Sequence, residues 1–247
     1  MKQENMLIVS NQEVAYKIFE MKLKGKLVDM MNESGQFLHI KTNRQDLILR
    51  RPISIASIDE ETVTILYRVV GLGTQNFSQF KSGDTVDVLG PLGHGFELSH
   101  IRENDEVLVV GGGIGVAPLY ELGKQLYKKQ ADITFILGFA NKGDCYYIEK
   151  FEKLGHVVIT TDDGSYGIKG HVGNGIGSVN PSSVYACGPL PLLNYVQCEF
   201  EKLEHVYLSM EERMACGMGA CHACDTKDKK KRVCYDGPVF NAKEVEL

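Results

Sequence analysis

The 247-residue chain is 43% hydrophobic and 24% charged, with a formal net charge of −5 at pH 7, the balance of a globular protein of one to three modules. The acidic balance speaks against nucleic acid as the main partner. No run of about 18 apolar residues is present to span a membrane. Met1–Ser10 also lacks the apolar segment and small-residue cleavage site of a secretory leader, so a cytoplasmic location is expected.

Up to about residue 100 the sequence falls into short runs. MLIVSNQEVA, IFEMKLKG, QFLHIKT, TVTILYRVVG and DTVDVLGPLG mix apolar with polar residues, often in alternation, between Gly, Asn and Asp. That pattern predicts a small antiparallel barrel or sandwich over 1–100. Within it stands Arg50-Arg51-Pro52-Ile53-Ser54-Ile55. An Arg on a strand can grip a pyrophosphate, and a nearby hydroxyl can reach the edge of a flavin ring. An ordinary strand with a surface Arg would read the same way. Tyr67-Arg68-Val69-Val70 and Gly71-Leu72-Gly73-Thr74 follow downstream.

Near Asp105 the pattern changes. EVLVVGGG is followed by VAPLYELGKQLYKKQ at helical spacing, then ITFILGFA, a helix expected around Tyr146 to Leu154, HVVITTDDGS, and SVYACGP leading into LPLLNYVQCEFEKL. Buried strands alternating with amphipathic helices predict a parallel α/β sheet over 101–204. Gly111-Gly112-Gly113-Ile114-Gly115-Val116-Ala117-Pro118 lies between a strand and a helix, where backbone N–H groups and the helix dipole suit a pyrophosphate. Pro118 takes the place of the third glycine of G-x-G-x-x-G, and a ligand-free β-to-α turn is the alternative. The strand ends carry Asp162-Asp163 and Cys187-Gly188-Pro189. Cys187 fits a nicotinamide site or a small buried hydrophobe, and the aspartates fit turn caps. No Arg closely follows Gly138, which favours NADH over NADPH.

From His205 to the end the text is cysteine-rich. Cys216, Cys221, Cys224 and Cys234 are spaced C-x4-C-x2-C-x9-C, the first three as in [2Fe–2S] ligation. Gly217, Gly219 and Ala220 suit a loop wrapped around a cluster. Four thiolates can also hold structural zinc, although zinc ribbons favour two short pairs separated by a spacer. The odd total of seven cysteines argues against a disulfide framework. The basic run from Lys227 to Arg232 reads as a solvated loop. A cluster domain is expected over 205–247, so the whole chain is multidomain: β-barrel, α/β domain and cluster domain.

R-P-x-S, then G-x-G-T, then G-G-G-I-G-x-x-P and C-G-P, in this order, resemble the ferredoxin–NAD(P)H reductase superfamily. With SMEERMACGMGACHAC and VCYDGPVF added, essentially the whole chain resembles the electron transfer subunits of dihydroorotate dehydrogenase B. The resemblance implies that Arg51, Pro52, Ile53, Ser54, Arg68, Val69 and Val70 hold FAD, with Gly73 and Thr74 at its phosphates. It implies that Gly112, Gly113, Gly115, Cys187, Gly188 and Pro189 take NAD(H), and that the four spaced cysteines hold a [2Fe–2S] cluster. Ile53 departs from the tyrosine often found in the superfamily. The implied partner is an FMN-containing catalytic subunit that interconverts dihydroorotate and orotate, two copies of each chain assembling, with NAD+ as final acceptor in pyrimidine synthesis. No acid–base constellation for that step is visible here. Two rivals are a flavin and [2Fe–2S] subunit of another complex, of the ferredoxin:NADP+ oxidoreductase or sulfite reductase type, and a zinc-containing nucleotide sensor.

Overall fold

The computed structural model describes residues 1–177 and 179–247. Six strands close into an antiparallel barrel: β1 Lys2–Ala15, β2 Ile18–Lys24, β3 Phe37–Ile40, β4 Arg51–Ile58, β5 Thr62–Arg68 and β6 Thr85–Leu92, in spatial order β1-β2-β5-β4-β3-β6. Alternation drives closure. Along β6 the residues Val86 and Val88 turn inward while Thr85, Asp87 and Leu89 face out. Met6, Ile8, Met21, Leu23 and Ile65 meet them in the interior, each fully buried, and each such side chain contributes about 1.5–3 kcal/mol of burial. The five short runs read from the sequence are all strands, and the sixth strand is the segment that begins with Arg51. A short helix, α1 Leu72–Phe77, follows β5.

The second sheet has seven strands in the order β10-β9-β8-β7-β11-β12-β13. They are β7 Glu106–Gly112, β8 Asp132–Phe139, β9 His156–Thr161, β10 Ile168–Lys169, β11 Ser183–Cys187, β12 Val206–Ser209 and β13 Val239–Asn241. All neighbours are parallel except β12 and β13, which run antiparallel. From Val107 to Gly112 every residue of β7 is buried, as expected of a central parallel strand covered on both faces. Helix α2, Val116–Lys128, packs Leu119, Leu122 and Leu126 into the core, and α4, Leu190–Glu199, adds Leu192, Leu193 and Val196. The helix expected over 146–154 is a shorter turn, α3 Ile148–Glu152.

The cysteine-rich stretch is inserted between β12 and β13. Both strands belong to the nucleotide-domain sheet, so the region from 205 onward begins and ends inside it. The cysteine stretch also packs on the barrel, with Phe37 and Leu92 in one apolar cluster with Met214, Cys224, Val233, Cys234 and Phe240.

Glu121 of α2 joins the two large domains. It is 4% exposed and its Oε2 accepts from the Ile58 backbone N–H of β4 at 2.9 Å and from Lys124 Nζ at 2.8 Å. Lys124 also donates to Ser57 Oγ and to the Ile58 carbonyl, each at 2.9 Å. Removing the carboxylate strands the Ile58 N–H and takes the nearest counter-charge from Lys124. Glu121→Ala is expected to cost about 2–3 kcal/mol in urea unfolding, and Glu121→Gln clearly less. Equal losses in the two variants would show that the charge, not the hydrogen bond to β4, is what matters.

Candidate functional site

The carboxyl ends of β7, β8, β9 and β11 open toward the barrel, and between them lies a cleft of about 1370 Å³. One wall is the start of β4. Adjacent arginines there have different duties. Arg50 is spent on the outer wall of the barrel: its guanidinium donates to both oxygens of Asp87 at 2.9 and 2.8 Å and to the His39 and Asp87 carbonyls. Arg51 lines the cleft with Pro52, Ile53 and Ser54, its guanidinium turned back onto the Leu49 carbonyl. Gly73 lies directly behind it, where a Cβ would meet the guanidinium. Gly73 thus makes room for Arg51 and does not line the cleft itself. Thr74 lines it, with Oγ1 accepting from Val70 N–H at 3.0 Å and donating to the Gly71 carbonyl at 3.2 Å, so the hydroxyl shapes the 70–74 turn. Arg68 and Val70 also face the cleft, Arg68 lying 3.7 Å from the buried Asp144. Val69 points away into the barrel core, and its N–H is spent on the Lys17 carbonyl.

The opposite wall is the glycine loop. At Gly115 a Cβ would sit 2.6 Å from the Cys187 carbonyl oxygen, and at Gly112 2.6 Å from Leu192 Cδ1; these two glycines let the loop press on β11 and α4. Gly113 differs. It has φ +56 and no atom near the place of a Cβ, so the space above it belongs to the cleft. Pro118 sits in the first turn of α2 and also lines the cleft, a position where a missing N–H costs nothing. Cys187, Gly188 and Pro189 complete this wall. Burial pushes the Cys187 thiol up to about 12, outweighing a hydrogen bond to Ser209; it is neutral at ordinary pH.

Asp162, noted in the sequence at a strand end, lines the same cleft, as do Thr160, His171 and Tyr195, which were not singled out from sequence. Thr160 is fully buried and its Oγ1 has no partner, an orphaned polar atom at a strand end where a ligand belongs. Its position in HVVITT reads as one more buried strand residue, which is why periodicity passes over it.

At the far end the cleft reaches Ser209 to Met214, the stem of the cysteine loop. Gly217 and Gly219 have φ +70 and +78, and the turn they make aims backbone N–H groups at sulfur. Met218 and Ala220 donate to Cys216 Sγ at 3.4 and 3.3 Å, Gly219 to Cys234 Sγ at 3.2 Å, and Cys234 N–H to Cys224 Sγ at 3.4 Å. Burial opposes ionisation of Cys216, but these N–H groups and Cys221 hold its thiol below the usual range. Side-chain contacts join Cys216 to Cys221 and Cys224 to Cys234. Cys224 and Cys234 are buried and Cys221 is exposed, so the group runs from the interior to the surface. The four thiols, and the N–H groups aimed at them, fit a [2Fe–2S] cluster, whose two irons take thiolates as two pairs. Of the three methionines of this stretch, Met210 and Met214 pack in one apolar cluster and line the cleft, whereas Met218 is 44% exposed.

Residues 211–246 match the family model of the iron-sulfur cluster binding domain of dihydroorotate dehydrogenase B. The chain is 50% identical over 254 residues to the electron transfer subunit of dihydroorotate dehydrogenase B (NAD(+)) from Streptococcus mutans, covering 99% of this chain and 98% of that one. With the corresponding subunit from Bacillus pumilus it shares 48% identity over 257 residues, covering 100% and 99%. The chain belongs to the family of dihydroorotate dehydrogenase B electron transfer subunits. As such it is the electron transfer component of an NAD-linked oxidoreductase of pyrimidine biosynthesis. Among solved structures, an NADH-dependent reduced ferredoxin-NADP oxidoreductase aligns at TM-score 0.86 and 29% identity, covering 98% of this chain and 90% of that one. A ferredoxin NADP+ reductase from Neisseria gonorrhoeae, with bound FAD and NADP, aligns at TM-score 0.69 and 13% identity over 82% and 92%, a likeness of fold. The ferredoxin-linked rival thus shares the architecture, while full-length identity near one half decides for the dihydroorotate dehydrogenase B family.

Cys187 generates a pH prediction. Its thiol titrates near 12 in the native protein and near the ordinary ~8.5 when unfolded. Above about pH 9 the unfolded chain releases a proton that the native one keeps, so stability falls as pH rises. Between about pH 9 and about pH 10.5 the wild type should lose about 1 kcal/mol per pH unit more than Cys187→Ala in urea unfolding. Parallel curves would mean the thiol is not held protonated.

Proposed function

We propose that the cleft holds FAD against the start of β4 and NAD(H) over the glycine loop, and that Cys216, Cys221, Cys224 and Cys234 hold the [2Fe–2S] cluster. The observation that carries this reading is the single cleft in which Arg51–Ser54, the glycine loop and the stem of the cysteine loop are all walls. When bound, FAD and the cluster convert between hydride-pair and single-electron transfer. The chain supplies position. Arg51 offers a guanidinium to a pyrophosphate, Gly113 leaves space and backbone for the second nucleotide, and the neutral Cys187 lines the nicotinamide end without adding charge. The lack of an Arg close after Gly138 supports NADH over NADPH.

The partner in this reading is an FMN-containing catalytic subunit that interconverts dihydroorotate and orotate, two copies of each chain assembling, with NAD+ as the final acceptor in pyrimidine synthesis. The exposed Met218 and Ala220, beside the exposed Cys221, form the docking face. No helix among the described residues is long and apolar enough to cross a membrane, which accords with a complex that works in the cytoplasm.

Arg50 and Arg51 should separate fold from ligand. A charge-assisted contact is worth roughly 1.5–3 kcal/mol, so Arg51→Ala should weaken FAD by about ten- to a hundredfold with little change in unfolding of the apoprotein. Arg50→Ala, which strands Asp87, should do the reverse. Fluorescence titration of the apoprotein with FAD reads the first effect; full FAD retention by Arg51→Ala would remove it as the anchor.

The relay reading is tested by co-expression with the catalytic subunit. The isolated chain should reduce artificial dyes with NADH and form no orotate, and the complex should form orotate with NAD+. Cys221→Ser should lose iron while keeping FAD, NADH should still reduce the flavin, and electron transfer to the partner should stop. Ala220→Glu should keep both cofactors and fail to assemble. Orotate formed by the chain alone would overturn the reading.

A further inference from the structure

His39 lies on β3, opposite Pro52 of β4 in the barrel register. It is fully buried, and neither ring nitrogen makes a well-formed hydrogen bond, although the Arg50 and Met214 backbones lie close to the ring. Neutral or charged, an imidazole carries at least one N–H. Leaving that N–H unpaired inside a protein costs about 1–3 kcal/mol, and native folds rarely tolerate it.

The surroundings restrict what can pair with it. Arg50 uses the His39 carbonyl, not the ring. The ring is not among the walls of the nucleotide cleft. What it does face is the cysteine loop: a Cβ on Gly217 would lie 2.6 Å from His39 Nδ1. Gly217 has φ +70 and directly follows Cys216. Phe37, two residues earlier on the same face of β3, packs with Cys224 and Cys234. This face of the strand is therefore the floor under the cysteine loop, and only glycine at 217 lets the imidazole come so near.

We propose that His39 is a positioning residue for the cluster: its N–H is donated to a sulfur at the Cys216 end of the centre and sets the reduction potential. This rests on the reading of the four cysteines as cluster ligands. An added electron makes the centre more negative, so a donor beside sulfur stabilises the reduced form more than the oxidised one and raises the potential. The imidazole neither gains nor loses an electron or a proton in the cycle.

The test uses the assembled complex with FAD and iron loaded. His39→Leu removes the donor at similar volume, and His39→Gln keeps an N–H. Iron and FAD content should stay unchanged in both. The cluster midpoint, followed by EPR-monitored titration, should fall in His39→Leu by at least tenfold in the equilibrium constant, which is 59 mV for one electron. His39→Gln should recover at least half of that shift. An unshifted midpoint in His39→Leu overturns the proposal, as does an equal shift in both variants, which would report packing alone. If the leucine variant sheds its iron, wild type labelled with 15N-histidine decides. Pulsed EPR of the reduced complex should show nitrogen coupling from an imidazole, and no coupling overturns the proposal, leaving a buried water as the partner of the ring. If reduced wild type shows no [2Fe–2S] signal at all, the cysteine reading falls and this inference with it. A normal signal without histidine coupling overturns this inference alone.

Discussion

The seam between β4 and α2 is the constraint on which the rest of the molecule depends. At one end of β4 the Ile58 N–H and carbonyl are tied to Glu121 and Lys124 of α2; at the other end Arg51 enters the cleft. Helix α2 is itself launched by the glycine loop. One strand and one helix thus carry two opposite walls of the cleft and are joined at a buried carboxylate. Further struts between the domains, such as Lys150 with Glu20 at 3.2 Å and Arg68 with Asp144 at 3.7 Å, lie nearer the surface and add less. A rigid seam matters to a relay because two rings must meet at a fixed distance, and loose domains would not hold them there.

The cysteine loop shows how local conformation and chemistry meet. Its glycines adopt a backbone that other residues resist, and the result is a set of N–H groups facing sulfur. Those groups lower the cost of placing several thiolates together, a cost that burial of Cys224 and Cys234 would otherwise make severe. The stretch outlined by the family model, 211–246, therefore carries both the cysteines and much of the electrostatic support that ionised thiols need, and the barrel face at Phe37 and His39 supplies the floor.

Much of this was legible in the sequence because it is written at short range. Barrel strands show in alternation, parallel strands in apolar runs, the tight turn between β7 and α2 in its glycines, and the iron-sulfur domain in its cysteine spacing. What escaped is set by contacts far apart along the chain. Arg50 and Arg51 are neighbours of one type, and only the position of Asp87 in the folded barrel decides that one is structural. Gly113 and Gly115 look alike in the motif, yet one faces open space and the other the Cys187 carbonyl. His39 hides in QFLHIKT as one position of an alternating strand. Val69 and Gly73, grouped with the flavin residues by their motif, support the site from behind. The return of the chain as β13 was invisible because a three-residue strand carries too little pattern to announce its pairing.

That return has an architectural result. Ser209 and Val239 are partners in the β12–β13 register, and Met210 N–H reaches the Pro238 carbonyl at 2.8 Å. The cysteine loop leaves the sheet and re-enters it at one place. Its ends are held by the sheet and not by its own length, and doubling the length of such a loop adds only about 0.6 kcal/mol of closure entropy. The centre is in effect a cassette plugged into a two-strand socket. Its length and outer surface are free to diverge among electron carriers of this architecture while the nucleotide domain beneath stays fixed.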